Sequence, residues 1–254
     1  MPKLPEKYQF LDLSDYGRAP AKWLATRLKY TPVTAIHMTT AFIVAGVVAI
    51  ACILNEQRLL AALFLILKSV LDAADGELAR IKNQPSYIGR YYDSIADIIL
   101  NFFFLLSIWH ITDSTFYYML LAFIGIQLQG TLYNYYYVIL RNTFHGDKTS
   151  RIFENSAPVA LKGESQRVVN IFFHSYNCLY IAFDKAIYYL DPKARFSRLF
   201  PNWFMTLLST FGLGFQLLIM SIFLIFHWEE HIIPFFIGYS TFIFIFITIR
   251  RTFL

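Results

Sequence analysis

Between Thr34 and Leu54 the chain carries no Asp, Glu, Lys or Arg. A run of about 20 mostly apolar residues is what a helix needs to cross the hydrocarbon core of a bilayer. Three more stretches of this kind follow: Thr115 to Leu140, Trp203 to Phe226, and Ile232 to Ile249. Two others, Leu59 to Leu71 and Ile98 to Ile111, are apolar but too short. The first reaches span length only by running on to about Arg80, which takes in Asp72 and Asp75. The second does so only by starting near Arg90, which takes in Asp93 and Asp97. Two of six spans therefore exist only if each carries two aspartates near one end. Composition agrees with a membrane protein: 57% of residues are hydrophobic and 15% charged, where soluble proteins have about 45–50% and 25%. Two cysteines, Cys52 and Cys178, exclude a disulfide-stapled secreted domain.

The basic residues orient the spans. Residues 1–33 hold six Lys and Arg, 80–92 three, 141–201 nine, and the C-terminal end two (Arg250 and Arg251), which leaves only Arg58 and Lys68 of the 22. The intervening connections, 55–58, 112–114 and 228–231, are short and nearly free of Lys and Arg. Because basic loops stay on the cytoplasmic side, the expected fold is an all-α, six-span bundle. Both termini and all four aspartates then lie at the cytoplasmic face. The net charge of +5 thus describes positive-inside loops facing anionic lipid, not a nucleic-acid surface.

Residues 1–33 show no signal-peptide pattern. Within them Phe10 to Leu28 sets Trp23, Leu24 and Leu28 among Arg18, Lys22, Arg27 and Lys29. This is the mark of an amphipathic helix lying in the interface, with Pro20 near its start. Residues 34–254 then form one membrane domain. Its long cytoplasmic connection, 141–201, contains a further apolar segment from Val168 to Leu190, interrupted at helical spacing by Asn170, His174, Asn177, Asp184 and Lys185. With basic residues on both sides, that segment reads as an interfacial or re-entrant helix and not as a seventh span.

Aspartate in a span costs roughly 2.5–3.5 kcal/mol, so four of them need a partner. Asp72 and Asp75 stand i, i+3 on one span and Asp93 and Asp97 i, i+4 on the next, so each pair shares a helix face. The short connection makes the two spans antiparallel neighbours, and four carboxylates converge. Hard oxygen ligands of this kind suit Mg²⁺, Mn²⁺ or Ca²⁺. Gly76 and Ala79 leave room beside them, and Arg80 supplies a forked donor for phosphate oxygens. Divalent metal, Arg and carboxylates at a membrane surface favour phosphoryl transfer over a proton path.

The stretch Asp72-Ala-Ala-Asp75-Gly76-Glu-Leu-Ala79-Arg80, followed after eight residues by Gly89, then by Asp93 and Asp97, resembles the CDP-alcohol phosphotransferase motif, D-x2-D-G-x2-A-R-x8-G-x3-D-x3-D. All eight fixed positions match, an agreement with a chance probability on the order of 10⁻⁸ at ordinary residue usage. The resemblance implies a metal site of Asp72, Asp75, Asp93 and Asp97 holding Mg²⁺ or Mn²⁺, two ions in all. Asp97 doubles as the base that takes the acceptor proton, and Gly76, Ala79, Arg80 and Gly89 surround the CDP group. It further implies a CDP-linked lipid donor, a small polar alcohol acceptor, CMP as product, and a homodimer as a common assembly. The run Asp93-Ser94-Ile95-Ala96-Asp97 is similar to that of bacterial phosphatidylserine synthases, which favours CDP-diacylglycerol over CDP-choline or CDP-ethanolamine as donor. Ala35-Ile36 stands where many relatives carry Pro-Asn.

A transporter or proton relay is the rival class, but it spreads acidic residues along a path; here they cluster at one face. Three smaller features complete the reading. Lys68, inside the second span, either snorkels outward or neutralises the cavity. Lys148, Arg151, Lys162 and Arg167 read as positive-inside charges, with an acceptor-phosphate pocket as the alternative. The cluster Tyr133 to Tyr137 reads as an interfacial belt, with a cation–π site for a quaternary amine as the alternative.

Overall fold

The computed structural model describes residues 4, 8–144, 156–197 and 200–253. Among them every regular element is helical. The helices are α1 (Arg18–Leu28), α2 (Ala35–Leu54), α3 (Arg58–Lys82), α4 (Tyr87–His110), α5 (Phe116–Thr143), α6 (Gln166–Leu190), α7 (Asn202–Leu208), α8 (Leu213–Ile225), α9 (Ile232–Tyr239) and α10 (Phe242–Phe253).

Local chemistry sets the ends of the helices that carry the motif. Thr34 is extended and forms a capping box with His37, whose Nδ1 accepts from the Thr34 amide at 3.0 Å. α3 stops at Asn83, which takes the left-handed conformation (φ 51°) that Asn tolerates better than most residues. α4 starts at Ser86, whose hydroxyl accepts from the Gly89 amide at 2.8 Å. Only two residues lie between these signals, so the chain turns directly from α3 into α4, and both helices pack on α2 more closely than on each other.

Burial of apolar faces holds the bundle. Phe42 and Ile53 of α2, Leu65 of α3, Phe104 and Ile108 of α4, and Leu217 of α8 form one core. α2 and α4 approach so closely that a side chain on Gly46 would meet Leu100 at 2.8 Å. Small residues at such contacts are how membrane helices gain packing without a hydrophobic driving force. Buried amides tie α5 to its neighbours: Gln216 Nε2 donates to Gln129 Oε1 at 3.1 Å, and Gln129 Nε2 to Ser240 Oγ at 3.0 Å. The outer faces of α3 and α2 leave Leu59, Leu63, Leu67, Val44 and Val47 exposed, an apolar surface of the kind that meets lipid.

Among the described residues, three helical stretches are long and apolar enough to cross a membrane: α2, α4 and Glu229–Phe253. A fourth exists if the pair Asn202–Phe211 and Leu213–Ile225, bent by 55°, counts as one. α3 and α5 have the length, 25 and 28 residues, but are too polar to pass on composition. The expected straight span from Trp203 to Phe226 is therefore broken. The cause lies in the N-terminal segment. Ser14 sits against the break, where a Cβ on Gly214 would fall 1.9 Å from the Ser14 carbonyl oxygen, and the Leu13 amide donates to Ser209 Oγ at 2.8 Å.

The amphipathic N-terminal helix forms as α1, with Ala21 and Ala25 buried against Ala74 and Leu78 of α3 and Trp23 63% exposed. On α6, Val169 and Phe173 pack on Tyr91 of α4, while Asn170, His174 and Lys185 are exposed. The tyrosine cluster differs from expectation. Tyr133, Tyr135 and Tyr136 are buried, not arrayed at an interface. Tyr133 donates to Asp12 Oδ2 at 2.6 Å and Tyr136 to Asp191 Oδ2 at 2.5 Å. Their hydroxyls serve as internal ties, a use that a run of tyrosines does not announce.

Candidate active site

The two aspartate pairs meet as the spacing requires. One carboxylate oxygen each from Asp72, Asp75 and Asp93 lies within 4.8 Å of the others. Asp75 and Asp72 come from consecutive turns of α3, and Asp93 enters from α4. Asp75 Oδ2 is held by the hydroxyl of Thr39, which donates from α2 at 2.8 Å. Thr39 lies four residues past the Ala35-Ile36 departure, so this wall of the site is kept although the usual Pro-Asn is not.

Asp97 is set apart from the three. It accepts a short hydrogen bond from Lys68 Nζ, which also donates to Asp72 Oδ2 at 2.8 Å. The Lys68 side chain is fully buried and its ammonium lies 4.5 Å from the centre of the Phe42 ring. This decides between the two readings of Lys68: it does not snorkel but neutralises the cavity. Asp93 Oδ1 is buried with no hydrogen-bond partner. An orphaned carboxylate oxygen between two others is the donor geometry that a hard divalent cation completes.

A cavity of about 470 Å³ opens from these residues. All four aspartates line it, as do Gly76 and Arg80. The Arg80 guanidinium lies over Gly76, where a Cβ would come within 3.3 Å of Nη1, and its Nη2 pairs with Glu77 at 3.0 Å. Gly76 is thus the space that lets this guanidinium lie flat beside the carboxylates. Ala79 and Gly89 do not line the cavity. Gly89 belongs to the capped first turn of α4, with Ser86 3.2 Å from the position of a Cβ.

The cavity also takes in residues that sequence reading did not single out: Arg90, Arg141, Tyr176, Tyr180, Asn101 and Gln127. Tyr180 of α6 donates to the Ser94 carbonyl at 2.8 Å, so the long connection covers the site. Asn101 had a legible signal, since it extends the i, i+4 stripe of Asp93 and Asp97 by one step. Arg141 and Gln127 had none, because only the packing of α5 brings them in. Lys162 and Arg167 are exposed and do not line this cavity. Lys148 and Arg151 lie outside the described residues.

Among the described residues, an all-helical bundle with lipid-length apolar helices and an aspartate cluster beside arginines suggests an integral membrane protein with a candidate metal site. The family model described as CDP-alcohol phosphatidyltransferase matches residues 33–158, which takes in α2 to α5 and every position of the motif. The chain belongs to that family, a family of transferases whose members use divalent metal and pass a phosphatidyl group from a CDP-alcohol to an alcohol. Comparison with curated proteins gave no match.

Proposed function

We propose that this chain transfers the substituted phosphate of CDP-diacylglycerol to the hydroxyl of a small polar alcohol and releases CMP. The observation that carries the reading is the arrangement of the aspartates: three bring carboxylate oxygens within 4.8 Å of one another, and the fourth, Asp97, lies outside that group, bridged to Asp72 by Lys68. The three would hold Mg²⁺ or Mn²⁺, and a divalent cation there would offset the charge that builds on the diphosphate. Arg80, Arg90 and Arg141 bind diphosphate oxygens at the same cavity.

Asp97 accepts the proton of the acceptor hydroxyl. Lys68 aims that carboxylate by pairing with it from the buried side. The alcohol oxygen forms its bond to the phosphorus distal to cytidine, the bond from that phosphorus to the bridging oxygen breaks, and CMP leaves with the bridging oxygen. The six-span topology with a cytoplasmic site is supported by the segregation of basic residues. The choice of CDP-diacylglycerol over CDP-choline or CDP-ethanolamine rests on the Asp93-Ser94-Ile95-Ala96-Asp97 run.

Detergent-purified protein given CDP-diacylglycerol, Mg²⁺ and a panel of alcohols is expected to release CMP, and EDTA to abolish the release. Alcohol-independent behaviour toward every CDP-linked donor would refute the reading. CMP release from CDP-choline with diacylglycerol, and not from CDP-diacylglycerol, would reverse the donor assignment.

A further inference from the structure

The polarity of the catalytic cavity is sorted along its length. Its basic lining residues are Arg80, Arg90 and Arg141. Arg90 begins the α4 stripe and Arg141 lies near the end of antiparallel α5, so both mark one end. Asn101 stands eleven residues beyond Arg90 on α4 and Gln127 fourteen before Arg141 on α5. At 1.5 Å per residue these are about 16 and 21 Å deeper. The aspartates lie between. The deep end therefore carries neutral amides and no Lys, Arg or His among the residues that line it.

Both amides are incomplete, and in complementary ways. Asn101 and Gln127 are each only 6% exposed, yet Asn101 Oδ1, an acceptor, and Gln127 Nε2, a donor, have no hydrogen-bond partner. Neighbouring buried amides are not left so. Gln216 Nε2 alone donates to the Ile126 and Phe211 carbonyls and to Gln129 Oε1, each at 3.1 Å. Buried polar groups are normally paired, so an unmet acceptor and an unmet donor lining one cavity point to a ligand that supplies both. A hydroxyl is such a group. Asn101 is also one helical turn past Asp97, on the same face of α4.

Resting on the transferase reading above, we propose that Asn101 and Gln127 form the acceptor subsite, and that it takes an uncharged polyol. One hydroxyl of the polyol presents itself to Asp97 while others donate to Asn101 Oδ1 and accept from Gln127 Nε2. The ammonium nearest this end, Lys68, does not line the cavity and is committed to Asp72 and Asp97, so an acceptor that carries a phosphate finds no lining cation here and its charge is desolvated without compensation.

The test uses the full chain in detergent with CDP-diacylglycerol and Mg²⁺, reading CMP release with myo-inositol, glycerol, serine and glycerol 3-phosphate. The two polyols are expected to be used in preference to the other two. Asn101→Leu and Gln127→Met, each close in size to the native residue, are each expected to raise KM for the preferred polyol at least tenfold. The KM for CDP-diacylglycerol and the rise in Tm on adding Mn²⁺ are expected to stay as in the wild type, which shows that fold and metal site are intact. Preference for glycerol 3-phosphate or serine overturns the proposal, as does a polyol KM within twofold of wild type in both variants. If the wild type releases CMP with none of the four, the transferase reading itself has failed.

Discussion

Two buried acidic sites in this molecule are built to opposite plans. Asp191 has no exposed surface, and every oxygen it offers is used. Arg250 donates to both carboxylate oxygens, at 2.6 Å from Nε and more closely from Nη2, and Tyr136 adds a bond at 2.5 Å. That pair locks α10 to α5 and to the end of α6. The cluster of Asp72, Asp75, Asp93 and Asp97 gathers four carboxylates, of which Lys68 pairs with Asp72 and Asp97, and Asp93 Oδ1 is left without a partner. The first site is complete and does structural work. The second is left incomplete, which costs stability and creates a place for a cation.

The contrast gives opposite expectations for the same kind of change. The largest effect falls on turnover. Asp97→Asn is expected to lower CMP release by roughly 10²–10⁴-fold, the usual contribution of a general base, with donor KM retained. Normal turnover in that variant would remove Asp97 from the role. Next comes stability. Arg250→Met leaves the buried Asp191 with only the Tyr136 hydroxyl and the more distant Arg251 guanidinium, 3.6 Å away, at a cost of about 3 kcal/mol, read as a fall in the unfolding midpoint in detergent. Asp93→Asn removes one of four crowded charges and is expected to raise metal-free stability by about 0.5–2 kcal/mol. If both changes shifted stability in the same direction, the contrast would fail. A last change concerns the wedge at the helix break. Gly214→Ala places a Cβ where the Ser14 carbonyl lies and is expected to cost about 1–3 kcal/mol. Proteolysis near residues 8–17 is then expected to quicken as the segment is displaced.

The same contrast explains what the sequence revealed. The open site was legible because incomplete chemistry leaves a mark: aspartates in apolar surroundings at i, i+3 and i, i+4 spacing have few explanations. The helices α2 to α5 were legible from apolar length, α3 and α4 by extension through the aspartates. The closed site was not. Asp191, Tyr136 and Arg250 are scattered along the chain and look unremarkable until packing joins them, so the tyrosines of α5 read as an interfacial belt. The break at Gly212 was hidden for a similar reason: its cause, Ser14, lies far away in sequence. Lys68 falls between the two cases. Its position within a span was visible, but its pairing with Asp72 and Asp97 depends on the register of α3 against α4.

The central claim is that three aspartates hold the metal while Asp97 stands apart as the base. Mn²⁺ titration of the wild type, Asp93→Asn and Asp97→Asn, followed by electron paramagnetic resonance of free Mn²⁺, tests it most directly. The account predicts that Asp93→Asn binds Mn²⁺ at least about tenfold more weakly, consistent with loss of about 1.4 kcal/mol or more. Asp97→Asn is predicted to bind as the wild type does and yet release CMP roughly 10²–10⁴-fold more slowly. Equal weakening in both variants would contradict the division and make Asp97 a fourth ligand.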